Sequence, residues 1–92
     1  MEITWDKKTA TTNFQTYGIR FSDVVTIFYD TNTLELGEEI VDGGRKYVAI
    51  GIDQLFRTSV ITYDFWESHI KITAARLATP SEKHLYETRI RF

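Results

Sequence analysis

The sequence predicts an α+β domain in which helices pack against one antiparallel sheet. Three observations lead there. An amphipathic stretch with helix caps occupies the front of the chain. A block of β-prone segments with period-two alternation fills the middle. A proline-led capping box opens a last helix near the end. Ninety-two residues allow one domain spanning 1–92.

Ile3-Thr4-Trp5 is a short β-prone entry. Asp6 can then cap a helix, because its carboxylate accepts from the free N–H groups of a first turn. Ala10, Phe14 and Tyr17 recur at i, i+4 and i+7 and mark one helical face, and Gly18 follows where a left-handed cap belongs. Ser22 is placed to cap a second helix carrying Val24, Val25, Ile27 and Phe28, which ends at Asp30-Thr31-Asn32. Residues 33–41 read as one or two short strands, and Asp42-Gly43-Gly44 as a turn. Arg45–Asp53 and Arg57–Asp64 are predicted strands joined through Gln54-Leu55. In the third, Ile70, Ile72 and Ala74 alternate with His69, Lys71, Thr73 and Ala75, the pattern of a half-buried antiparallel strand. Thr79-Pro80-Ser81-Glu82 starts the closing helix, which Leu85, Tyr86 and Ile90 can dock on the sheet.

Composition narrows the function classes. Cysteine is absent, so no disulfide framework, thiolate metal site or cysteine nucleophile is available. Two histidines, His69 and His84, are too few for a His-rich centre; no metal and no cofactor is expected. No stretch approaches the roughly 20 apolar residues of a membrane span. Met1-Glu2-Ile3-Thr4-Trp5-Asp6 lacks the basic-then-apolar order of a secretory leader, so a cytoplasmic protein without membrane contact is expected. The net charge of -2 conceals a division: residues 1–44 carry three basic and eight acidic residues, residues 45–92 eight basic and five acidic. A basic rear half hints at a polyanion-facing surface.

Phosphate-binding glycine loops, H-E-x-x-H and G-x-S-x-G are missing. If the three middle strands are neighbours, Arg45, Tyr47, Arg57, Tyr63, His69, Lys71 and Arg76 can converge on the polar face. Cations with aromatics suit RNA: arginine forks onto phosphates, and tyrosine stacks unpaired bases. RNA can be cut through its own 2′-hydroxyl, provided that a protein moves protons and stabilises the phosphorane. Structural alternatives stand beside these roles. Tyr47 and Tyr63 suit sheet packing, Arg57 a hairpin cap, and Arg76 an ion pair with the closing helix. Adjacent Phe65 and Trp66 form either a contact patch or a core tuck.

One set of segments runs through nearly the whole chain in order: Trp5-Asp6, Asn13, Tyr17-Gly18-Ile19-Arg20-Phe21, Phe28-Tyr29-Asp30, and Arg45 with Ile50-Gly51. It continues in Ile70-Lys71-Ile72-Thr73-Ala74-Ala75-Arg76-Leu77-Ala78-Thr79, Glu82 and Tyr86-Glu87. In these segments the chain resembles the BrnT family, the toxin half of a bacterial type II toxin–antitoxin pair. The resemblance implies a RelE-like fold and a metal-independent endoribonuclease that inhibits translation. It also implies a BrnA-like ribbon-helix-helix antitoxin that contacts operator DNA on the toxin's behalf. Arg76 and Arg45 are the positions carried over as catalytic, while Lys71 and His69 join them from the polar-face argument. Arg57, Tyr63 and Tyr47 are expected to bind RNA. The antitoxin-binding surface is not indicated. Tyr17 replaces the family's histidine, Ala74 its serine, and Asp64-Phe65-Trp66-Glu67 a stretch that often holds an arginine. These departures, with the acidic front half, support a second reading: a non-enzymatic module that binds the antitoxin.

Overall fold

The computed structural model describes residues 1–41 and 44–89. A short strand β1 (Glu2–Trp5) leads into helix α1 (Lys7–Tyr17). Helix α2 (Phe21–Val24) is a single turn that continues as a 3-10 helix over Val25–Tyr29. Strands β2 (Leu34–Val41), β3 (Gly44–Ile52), β4 (Thr58–Trp66) and β5 (His69–Leu77) follow, then helix α3 (Pro80–Arg89). The predicted second helix is therefore mostly 3-10, and it begins without a side-chain cap from Ser22. Of the predicted turn Asp42-Gly43-Gly44, Gly44 instead opens β3, and Asp42 and Gly43 lie outside the described residues.

The caps explain why α1 and α3 begin and end where they do. Asp6 accepts from the Thr9 N–H at 2.9 Å, which satisfies an orphan donor of the first turn. Gly18 sits at φ 73°, and its N–H reaches the Phe14 carbonyl. At α3 the Thr79 hydroxyl accepts from the Glu82 N–H at 3.2 Å, and Glu82 accepts from the Thr79 N–H at 2.8 Å.

The five strands lie in the order β1-β5-β4-β3-β2. The sheet is mixed rather than antiparallel throughout: β1 runs parallel to β5, with Ile3 opposite Ile70 and Trp5 opposite Ile72. The intervening α1, α2 and meander supply the long crossover that a parallel neighbour requires. Helices cover both faces. Ile19, Phe21, Val24 and Ile27 pack with Ala49, Ile61, Ile70, Ile72 and Ala75 on one face. On the other, Tyr86 of α3 packs with Ile50 and Val60.

Two local features set which side chains share a face. An irregularity in the β4–β5 register between Thr62 and Tyr63 leaves Thr73 as the extra residue of β5. The alternation flips there. Ala75, not Ala74, is buried, and Arg76 moves to the side of Lys71. Helix α1 is also rotated from its expected orientation. Phe14 and Tyr17 are 42% and 52% exposed, while Asn13 is buried. Its amide donates to the carbonyls of Ala75 (2.9 Å) and Ile19 (3.1 Å) and accepts from the Ala75 N–H (3.0 Å). Strand β1 stops pairing at Ile72, so one side chain completes the edge of β5 beyond it. Phe14 instead lies under the Arg20 guanidinium, 4.7 Å from its ring centroid.

Candidate nucleic-acid interface

The three middle strands are neighbours, yet the seven residues expected to converge do not share a face. Residues directly paired across strands point to the same side. Tyr47 and Tyr63 are such a pair and lie on the α1/α2 side. Arg45, two positions before Tyr47, falls on that same side and pairs with Glu38 at 3.5 Å. His69, Lys71 and Arg76 lie on the α3 side, opposite Trp66, Asp64 and Val60 respectively.

Arg57 belongs to neither group. It precedes β4 and is tied to the buried Asp53 through its Nε at 2.8 Å. Asp53 also accepts from the N–H groups of Leu55 and Arg57 and from the Ser59 hydroxyl. The Arg57 side chain thus neutralises a buried carboxylate that organises the β3–β4 loop.

Tyr63 is 6% exposed. Phe28 meets it edge-on at 4.9 Å and Tyr47 stacks beside it at 5.8 Å. Its hydroxyl donates to Glu35 at 3.0 Å. Burial, then the Glu35 contact, push its pKa well above the ordinary tyrosine value. With Phe65 and Met1 at the rim, these residues line a separate cavity of about 430 Å³.

The α3-side strip is cationic and partly open. Across the sheet, Thr4, Lys71 and Asp64 form a row, and Lys46 pairs with Asp64 at 2.8 Å. Lys71 is exposed, and no carboxylate among the described residues lies within ion-pair distance of it. In the next row, His69 stacks on Trp66 with centroids 4.4 Å apart. Its Nε2 meets the Thr4 hydroxyl at 2.9 Å, and its Nδ1 lies 3.7 Å from Glu2. Nε2 is therefore engaged within the protein, while Nδ1 has Glu2 nearby but beyond hydrogen-bond distance.

Arg76 stands at the other end of the strip. Its Nη1 donates to Glu82 Oε1 at 2.7 Å and to the Leu77 carbonyl at 3.2 Å; Nη2 donates to Glu82 Oε2 at 2.9 Å. Glu82 thus grips the guanidinium end-on. The lateral edge, Nε–H with the second Nη2–H, has no protein acceptor among the described residues. Pairing with Arg76, and to a lesser degree the Thr79 N–H, pull the Glu82 carboxyl down to about 2. The same bonds raise the pKa of Arg76; burial opposes them, and nearby Tyr17 adds to the rise.

Tyr17 borders a cleft of about 420 Å³ between α1 and the β5 irregularity. Lys8, Thr12 and Thr16 line it from α1, and Thr73 and Ala74 from β5. Sequence reasoning missed this hydroxyl-rich wall, although Lys8, Thr12 and Thr16 recur at i, i+4 and i+8, a legible polar stripe. Asp6, whose carboxyl is lowered chiefly by the Thr9 N–H, feels both Lys71 and Lys8, and Lys8 lines the cleft. The arrangement can hold phosphates along β5. The spacing of Lys71 and Arg76, five residues along one strand, is about 15 Å, so the two reach different phosphates.

Among the described residues no group of three His, Cys, Asp or Glu could hold a metal ion, and no helix is long and apolar enough to cross a membrane. No protein-family model matches the chain, and no curated protein matches it. Among solved structures, the fold is similar to that of the Brucella abortus ribonuclease toxin BrnT. The TM-score is 0.69 at 21% sequence identity, over 86% of this chain and 97% of that one. The α+β fold with its five-stranded mixed sheet is thus shared with BrnT.

Proposed function

We propose that this chain is an endoribonuclease toxin of the BrnT type, neutralised by a partner antitoxin. The observation that carries this reading is the open lateral edge of Arg76, held beside a hydroxyl-lined cleft on a fold shared with a ribonuclease toxin. The substrate's 2′-hydroxyl attacks the adjacent phosphorus, so the reaction needs no metal. Arg76 meets the two non-bridging oxygens through its free fork and stabilises the charge that builds in the phosphorane. Lys71 and His69, farther along the strip, hold phosphates of the bound strand away from the scissile one, while water takes the 2′-hydroxyl proton and protonates the leaving 5′-oxygen. Arg45, Arg57, Tyr47 and Tyr63 lie apart from this strip and have no part in the reading. The partner is a ribbon-helix-helix protein of the BrnA kind, through which alone the complex touches DNA. The setting is the cytoplasm.

Expression of the chain alone, with and without its antitoxin, tests the reading through growth and RNA integrity. Arrest with RNA cleavage, relieved by the antitoxin, is expected. Arg76→Ala should lower cleavage about 10²-fold or more. The fold should survive, since Glu82 keeps its bonds to Thr79. Arg76→Ala that arrests growth like the parent refutes the assignment.

Two observations favour a second reading, an antitoxin-binding module without catalysis. Nε2 of His69 is held by Thr4, and Asp64 brings an acid into the strip. Purified protein that leaves RNA intact yet binds a ribbon-helix-helix partner at nanomolar affinity would establish it.

A further inference from the structure

The aromatic cavity on the α1/α2 side has a chemistry of its own. Tyr47 stacks along Tyr63 at an interplanar angle of 27°, and Phe65 stands edge-on to Tyr47 at 86°, their centroids 6.3 Å apart. Phe28 closes the inner side against Tyr63. Glu35 reaches into the same space from β2. One of its oxygens accepts from the Tyr63 hydroxyl, and the other has no partner among the described residues. Glu38, directly opposite Tyr47 on the same face, is held by Arg45, so Glu35 is the acid that the cavity presents.

We propose that this cavity receives the arginine side chain of a partner polypeptide. Charge complementarity selects the occupant. Ring faces are the negative ends of aromatic quadrupoles, so rings and carboxylate together make a field that attracts cations and repels phosphate. A purely apolar side chain would cover Glu35 and leave its charge without a counter-ion. An ammonium supplies charge but is compact and strongly hydrated. A guanidinium is flat, weakly hydrated and forked, so it lies along the rings while its N–H edge meets the free Glu35 oxygen. The inference does not rest on the ribonuclease reading, because the strip that carries that reading lies on the opposite face.

The test is an NMR titration of the full chain with N-acetyl-arginine amide, whose side chain is its only charge. Lysine and norleucine amides and a uridylyl-adenosine dinucleotide serve as comparators. The arginine amide should shift the ring signals of Tyr47, Tyr63 and Phe65 with a millimolar Kd, at least fivefold tighter than the lysine amide. Glu35→Gln, which keeps an acceptor for the Tyr63 hydroxyl, should weaken it tenfold or more with the spectrum otherwise unchanged. Four results would overturn the proposal: no ring shifts with the arginine amide, equal binding of the norleucine amide, equal binding by Glu35→Gln, or a stronger response to the dinucleotide, which would make the cavity a base-stacking site.

Discussion

Replacing Asn13 offers a quantitative test of how the edge of β5 is closed. Asn13→Ala removes three hydrogen bonds of 2.9–3.1 Å and strands the N–H and carbonyl of Ala75 together with the Ile19 carbonyl. Each buried group left without a partner costs about 1–3 kcal/mol. The side chain borders an open cleft, so water relieves part of this and the lower end applies. The expected loss is about 3 kcal/mol, or a fall in Tm of about 12 °C or more. Urea denaturation followed by circular dichroism measures it, and amide exchange at Ala75 locates it. Asn13→Asp adds a sign. A carboxylate there faces two carbonyl oxygens, which raises its folded pKa above the unfolded value of about 3.9. Relative to the parent, stability is then lost as pH rises from about 3.9 through the folded pKa, so this variant must be weaker at pH 7 than at pH 3. A loss under 1 kcal/mol for Asn13→Ala, or Asn13→Asp indifferent between those pH values, refutes the side-chain closure of the edge.

Three further outcomes follow from the structure. Glu82 is depressed to about 2, so its contribution is present above the ordinary glutamate range and is lost as pH falls from about 4.5 toward 2. Acid unfolding of Glu82→Gln should lack that component, and coincident acid titrations of the two proteins would contradict it. Glu67 and Ser68 hold φ of 46° and 65° in the two-residue β4–β5 turn, a conformation that favours glycine and asparagine. Ser68→Gly should stabilise the protein by about 0.5–1 kcal/mol, read as a rise in Tm. A Cβ on Gly51 would lie 2.7 Å from Ile27 Cγ2 and 3.0 Å from Thr33 Oγ1. Gly51→Ala should therefore cost about 1–3 kcal/mol, and the double variant with Ile27→Ala should recover part of it; strict additivity would count against the clash.

What the sequence disclosed was mostly local. Asp6, Gly18 and the Thr79–Glu82 box each act within four residues, and each cap sits where the sequence placed it. The parallel partner of β1 left no such trace, because Glu2 and His69 are 67 positions apart. In α1 the apolar spacing of Ala10, Phe14 and Tyr17 was misleading. A buried polar residue, Asn13, sets the packing face, because the edge of β5 needs hydrogen bonds more than it needs hydrocarbon. The candidate site was half legible for a similar reason. Strict alternation over His69–Ala75 assigns Lys71 to the polar face but puts Arg76 on the other; the extra residue at Thr73 reunites them. The resemblance to BrnT, not the alternation, singled out Arg76. Tyr47 and Tyr63 were grouped with it only by residue type and Arg45 by the same resemblance, and their register in β3 and β4 turns all three to the opposite face.

Helix α3 rests on the sheet alone, across from the larger hydrophobic cluster, through Tyr86 and the Arg76–Glu82 pair. Burying one tyrosine contributes about 1.5–3 kcal/mol, and a half-exposed ion pair adds about 0–1 kcal/mol. Detaching this segment therefore costs far less than unfolding the domain, and on the order of one molecule in ten to one in a thousand is detached at any moment. In each such excursion Arg76 loses its clamp and its guanidinium swings free. The orientation of that cation is thus only as durable as the hold of α3 on the sheet, and hydrogen exchange across α3 will track it.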